Sequence, residues 1–283
     1  MSATSSQSEG PPPLPGNSPP PPPVNRLRWW IHLILISAYV LAVGALGWSR
    51  SALHTPVLSH KPGGLLLVCA LELVTFGFVF GLALYASRAS RDDLLLRWRG
   101  KFSPMLLGVG YSIALRLAVG IIAVAVSAVL VVTRVMSPDS LQHFAYSNRP
   151  DVEAVVDVAA MRNNPVYFWL VITVVSFVVA GLREELWRSA FIAGTRALWP
   201  KRFGSRAGQI VAVAIASVIF GLGHLAMGPI AVCFAGLLGF GLGLIMVLHR
   251  SIWPAVFAHG MFDATSMALI PWVMEFLKQA TPR

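Results

Sequence analysis

Three short stretches set ionisable side chains inside runs that are otherwise apolar: Gly181-Leu-Arg-Glu-Glu-Leu-Trp-Arg188, Phe220-Gly-Leu-Gly-His224 and His259-Gly-Met-Phe-Asp263. They carry two adjacent carboxylates, Glu184 and Glu185, two imidazoles, His224 and His259, a further carboxylate, Asp263, and the guanidinia of Arg183 and Arg188. Glu184 and Arg188 are four residues apart, as are His259 and Asp263, so on a helix each pair shares a face. Charges are costly in a membrane span, which makes each of them a functional candidate. The set suits water activation. A carboxylate takes the proton as general base, an imidazole orients the water or passes the proton on, and donors on another helix hold the developing oxyanion. Peptide hydrolysis needs those three roles. The plainer reading is an ion-pair network that locks helices together, with His224 as an ordinary core histidine.

The elements that must position these residues are membrane helices. The 283 residues are 56% apolar and 12% charged, about half the charge of a soluble domain, and several runs of 18 or more residues are nearly free of charge. The expectation is an all-α, polytopic transmembrane bundle of about seven spans: 30–48, 65–86, 105–133, 166–199, 209–226, 230–249 and 252–277. The fourth exceeds the roughly 20 residues that a bilayer needs, so it must tilt, break or run into the interface. Counted from the inner helix ends, Glu184, His224 and His259 lie about 18, 23 and 11 Å deep and can meet in a cavity open to the cytoplasmic side.

The organisation expected is a disordered proline-rich cytoplasmic tail (1–28), N-terminal transmembrane helices with a polar outer loop (29–164) and a catalytic transmembrane domain (165–278). The tail holds nine of the twenty prolines and lacks the features of a secretory signal. The net charge of +10 lies in short loops and not on one face, which argues for membrane topology and against a nucleic-acid partner. With the N-terminus inside, twelve Lys and Arg fall on the inner segments and seven on the outer ones. That balance predicts a cytoplasmic N-terminus, and the localisation expected is that of an integral, multi-pass protein in a bacterial plasma membrane. Cys69 and Cys233 sit in apolar runs and read as packing residues. Glu72 and Arg116, in the second and third spans, are expected to pair with each other. Gly239 and Gly243 read as small-residue helix packing, not as a phosphate loop.

Glu-Glu with a following Arg, then Phe-x-x-x-His, then His-x-x-x-Asp, on successive apolar helices, resembles the CAAX protease and bacteriocin-processing (CPBP) family of intramembrane endopeptidases. The resemblance covers Val166 to Leu277. It implies that Glu184 or Glu185 activates water with His224, while His259 and Asp263 bind the oxyanion or complete the site. It also implies membrane lipid and a peptide or lipidated protein substrate as partners. The endopeptidase could be of glutamate type or metallo type. Two imidazoles and carboxylates would satisfy a divalent metal such as zinc, although no H-E-x-x-H pair is present to fix one.

One spacing departs from the family pattern, which has three residues between the second Glu and the Arg. Here only Leu186 and Trp187 separate Glu185 from Arg188. The two possible registers aim different carboxylates at the site unless a π-bulge absorbs the slip. On a regular helix Arg188 can pair well with one Glu and leave the other free to act as base. Alignment on the Glu pair favours Glu184. The altered spacing also supports the alternative of a catalytically inactive membrane scaffold of the same fold. A transporter would require two related halves with interrupted helices, which the chain lacks.

Overall fold

The computed structural model describes residues 25–51 and 57–280. The proline-rich stretch, residues 1–24, lies outside the described residues. Every regular element among those described is helical. Seven long helices account for the bundle: α1 (Arg26–Ser51), α2 (Pro62–Ser87), α3 (Ser103–Val132), α4 (Pro165–Leu198), α5 (Arg206–Leu222), α6 (Pro229–His249) and α7 (Trp253–Ala280).

The seven fall where the apolar runs predict them. α1, α2, α3, α4 and α6 are long and apolar enough to cross a membrane. α5 is shorter, at 17 residues, and α7 carries Asp263 and Glu275. Prolines stand in the first two positions of five of the helices, α2, α3, α4, α6 and α7, where the missing N–H costs nothing. Side chains cap three: Asn25 accepts from the Arg28 N–H at 3.3 Å at the start of α1, Asn164 from the Tyr167 N–H at 3.1 Å at the start of α4, and Ser205 from the Gly208 N–H at 3.1 Å at the start of α5. α2 and α6 each end on an arginine in the left-handed conformation, Arg88 and Arg250, which turns the chain sharply.

α4 solves its excess length by changing winding. Pro165–Leu170 is α-helical, Val171–Glu184 is a π-helix, and Glu185–Leu198 returns to α. The boundary between π and α falls between the two glutamates. π-Helix is rare and tends to occur at functional sites.

Polar groups stitch the bundle where apolar packing carries no directional information. His32 on α1 is fully buried, with one ring nitrogen 3.1 Å from the Ala83 carbonyl oxygen of α2 and the other 3.0 Å from that of Ala190 on α4. The Trp187 indole N–H donates to the Ile36 carbonyl at 2.9 Å. Residues 88–101 tuck under the bundle: Ser189 donates to the Leu94 carbonyl, the Ile252 N–H to Leu95 at 2.9 Å, and the Trp253 indole to Leu96 at 3.0 Å. Between α6 and the neighbouring helices, small residues permit close approach. A Cβ at Gly243 would collide with Val213 of α5, and one at Gly239 would sit 3.2 Å from the Arg188 guanidinium. Both glycines therefore act in packing. Cys69 is buried in an apolar cluster, whereas Cys233 is exposed.

The polar segment between α3 and α4 folds into a helix over Pro138–Ser147, a turn over Val152–Ala154 and a helix over Val158–Asn163. Its Asp151 N–H donates to the Met227 carbonyl at 3.0 Å, joining it to the α5–α6 connection.

Candidate active site

The π-to-α transition in α4 sends its two glutamates to different surroundings. The Glu185 side chain is fully buried, ion-paired with Arg188 three residues on, and accepts from His259 Nδ1 at 2.9 Å. The Glu184 side chain is 17% exposed and accepts from Arg183 Nη2 at 2.8 Å. Neighbouring residues on an α-helix do not face each other, and this pair forms where the π-helix ends. Arg188 thus holds one glutamate and leaves the other, but Arg183 takes hold of the second. A free carboxylate beside a paired one is not what the fold builds.

His259 joins the two. Its Nδ1–H donates to Glu185, and its Nε2 lies 3.8 Å from Glu184 Oε2 and 3.6 Å from Asp263 Oδ2. His259 and Asp263 share a face of α7, as their spacing predicts. The Gly181 and Gly260 backbones meet closely, with the position of a Gly181 Cβ 3.3 Å from the Gly260 nitrogen, and this approach brings α7 to the glutamates.

His224 reaches the site from beyond the end of a helix. The apolar run predicts it inside the fifth span, yet α5 stops at Leu222, Gly223 caps it, and His224 leads into a short turn over Leu225–Met227. The glycines at 221 and 223 weaken helix continuation there. The His224 ring packs 4.7 Å from that of Phe220 between centroids, and its Nδ1–H donates to the Phe220 carbonyl at 3.0 Å. In the neutral ring that leaves Nε2 as an acceptor. The Phe220 ring is 6.1 Å from that of His259 and also lies under the Arg188 guanidinium at 4.6 Å.

A cavity of about 50 Å³ opens between α1, α4 and the end of α5. Arg183, Glu184 and His224 supply its polar wall, with Tyr39, Val43 and Trp187 among its apolar lining. That volume holds at least one water, which needs roughly 10–15 Å³ on the same measure. Glu185, His259 and Asp263 stand behind Glu184 and do not line it.

All six sequence candidates, Glu184, Glu185, Arg188, His224, His259 and Asp263, therefore gather in one region. The expected pair between Glu72 and Arg116 does not form. Glu72 pairs with Arg183, while Arg116 donates to Ser112 and Thr265 and to the Phe262 carbonyl, and stacks 4.3 Å over the Phe262 ring. The reason is helix packing: α2 lies against α1 and the π segment of α4, and α3 lies against α7. Each charge is satisfied by the helix its own helix touches. Glu72 had a legible signal, a lone carboxylate in an apolar span that must find a cation. Tyr39, Val40 and Val43 had none, because apolar helix residues look alike wherever they face.

Among the described residues no three His, Cys, Asp or Glu side chains converge as ligands, and Glu185 and His259 Nδ1 are already committed to each other.

The fold and site define a polytopic helical membrane protein with an acid–imidazole cluster gathered beside one cavity. Residues 165–265, about a third of the chain, match the family model described as Rce1-like, type II CAAX prenyl endopeptidase. The match begins at the first residue of α4, ends two residues past Asp263, and includes every sequence candidate. The family is one of proteases. Neither the curated proteins nor the solved structures gave a match.

Proposed function

We propose that the chain is an intramembrane endopeptidase that hydrolyses a peptide bond of a membrane-associated or prenylated substrate, with residues 165–278 as its catalytic unit. The observation that carries this reading is that Glu184 and His224 line one water-sized cavity. Glu184 is the base. Its carboxylate removes a proton from water as the oxygen attacks the scissile carbonyl, and the His224 Nε2 lone pair accepts the water's other hydrogen and orients it. Glu185 is shielded from the cavity and orients His259 through Nδ1–H. His259 and Asp263 complete the site from behind Glu184: the His259 Nε2, 3.8 Å from Glu184 Oε2 and 3.6 Å from Asp263 Oδ2, steadies the carboxylate of the base. Proton return to the leaving amine comes from the protonated Glu184. Every step runs through side chains of the chain itself. The cytoplasmic N-terminus predicted from the loop charges would bring the substrate's prenylated end to the same leaflet as the basic loops.

The test is cleavage of an internally quenched farnesylated peptide ending in a CAAX box by the full-length protein in detergent or lipid discs. Wild type is expected to cleave it, and Glu184→Gln to lose about 100-fold or more in kcat, the usual loss for a general base. An inactive wild type, or a Glu184→Gln variant with unchanged turnover, overturns the reading.

A further inference from the structure

Glu184 as base carries a difficulty: a guanidinium sits on it. An adjacent cation stabilises the ionised carboxylate and weakens it as a base. Arg183 bonds Glu184 through Nη2, and its other terminal nitrogen, Nη1, is taken by Glu72 from α2. The Arg183 side chain is 10% exposed and that of Glu72 24%, so water screens this triad only in part. Two carboxylates share one cation. Arg188 and Glu185 balance one to one, and His259 lies between the two groups, 2.9 Å from Glu185 and 3.8 Å from Glu184, whereas the triad of Glu72, Arg183 and Glu184 by itself carries a surplus negative charge. That surplus exists only because of Glu72.

We propose that Glu72 is a positioning residue for the reaction: by engaging one side of Arg183, it lets the guanidinium hold Glu184 in place without neutralising it. Glu184 Oε1 is anchored by Arg183, and Oε2, with only the longer 3.8 Å contact to His259 Nε2, is the oxygen that takes the proton. Arg183 fixes the direction of the carboxylate, and Glu72 sets how much charge Arg183 has left to give. Glu72 lies some 90 residues before the Rce1-like segment, so α2 becomes part of the catalytic unit and not merely a scaffold for it. The inference rests on the assignment of Glu184 as base.

Steady-state kinetics on the farnesylated CAAX peptide test it, with the full-length protein and three variants. Glu72→Gln is expected to lower kcat about 10-fold or more with KM changed less than about 2-fold, because substrate contacts are untouched while the base is weakened. Glu72→Asp, which restores the charge, should recover most of kcat. A purely structural ion pair predicts instead that activity falls only as the folded fraction falls, with no selective rescue by Asp. If Glu72→Gln does not fold, the charge-balanced Glu72→Gln/Arg183→Gln pair takes its place. It leaves Glu184 ionisable but unanchored and should also lose kcat at constant KM. Wild-type turnover in Glu72→Gln, or in the double variant, overturns this inference and leaves the endopeptidase reading standing. A wild type that does not cleave the probe overturns both.

Discussion

At the residue scale the two adjacent glutamates divide the work by environment. Glu185 is enclosed by Arg188 and His259, and Arg188 itself is fully buried, with no hydrogen-bond partner beyond that ion pair and with its guanidinium over the Phe220 ring. Neutralising Glu185 would strand a buried guanidinium, and breaking one side of a buried pair typically costs 3–5 kcal/mol. Glu185→Gln is therefore expected to lower stability by about 3 kcal/mol, read as a fall in thermal midpoint of the detergent-solubilised protein. Glu184→Gln, on the cavity wall, should lower the midpoint far less while removing turnover. Equal midpoints for wild type and Glu185→Gln would mean that the Arg188 pair contributes nothing to the fold.

At the element scale, helix approach decides which groups meet. α5 and α6 pack closely enough that a Cβ on Gly221 would lie 2.6 Å from the Val232 carbonyl oxygen, and that oxygen belongs to backbone that cannot rotate away. Adding a methyl group to such a contact costs on the order of 1–3 kcal/mol by overpacking. Gly221→Ala should destabilise the protein by that amount and shift the end of α5, where His224 begins its turn. Gly110→Ala on α3, where nothing lies within 4 Å of the added atom, is the matched control and should be neutral or slightly stabilising. Thermal midpoints of the two variants decide it, and an unperturbed Gly221→Ala would contradict the close packing of α5 on α6.

At the scale of the whole molecule, the helix ends collect the basic residues on one side. The start of α1, the end of α4 and the start of α5 lie together, with the Trp30 and Trp199 rings 5.1 Å apart. The loop after α2 lies under the start of α7, with Trp98 5.1 Å from Trp253. Twelve Lys and Arg belong to the segments that the loop charges predict to be inner and seven to those predicted to be outer. Positive residues are retained on the cytoplasmic side. Reporter fusions after Arg97 and Lys201 are accordingly expected to read as cytoplasmic, and an external signal at either point would invert the orientation.

How much of this was legible beforehand depends on the range of the interactions involved. The positions of seven helices follow from apolar run length, because a membrane span must satisfy its backbone internally and needs only length and hydrophobicity to do so. The gathering of Glu184, Glu185, Arg188, His224, His259 and Asp263 was likewise readable, since ionisable groups in apolar helices must face one another. The partners were not. Whether Arg183 or Arg188 holds Glu184 turns on a winding change inside α4, and α- and π-helix differ by small local energies that packing against α2 and α7 can override. The α1 residues at the cavity and the pairing of Glu72 with Arg183 depend on which helices lie side by side, a contact between distant parts of the chain that no spacing within one helix encodes.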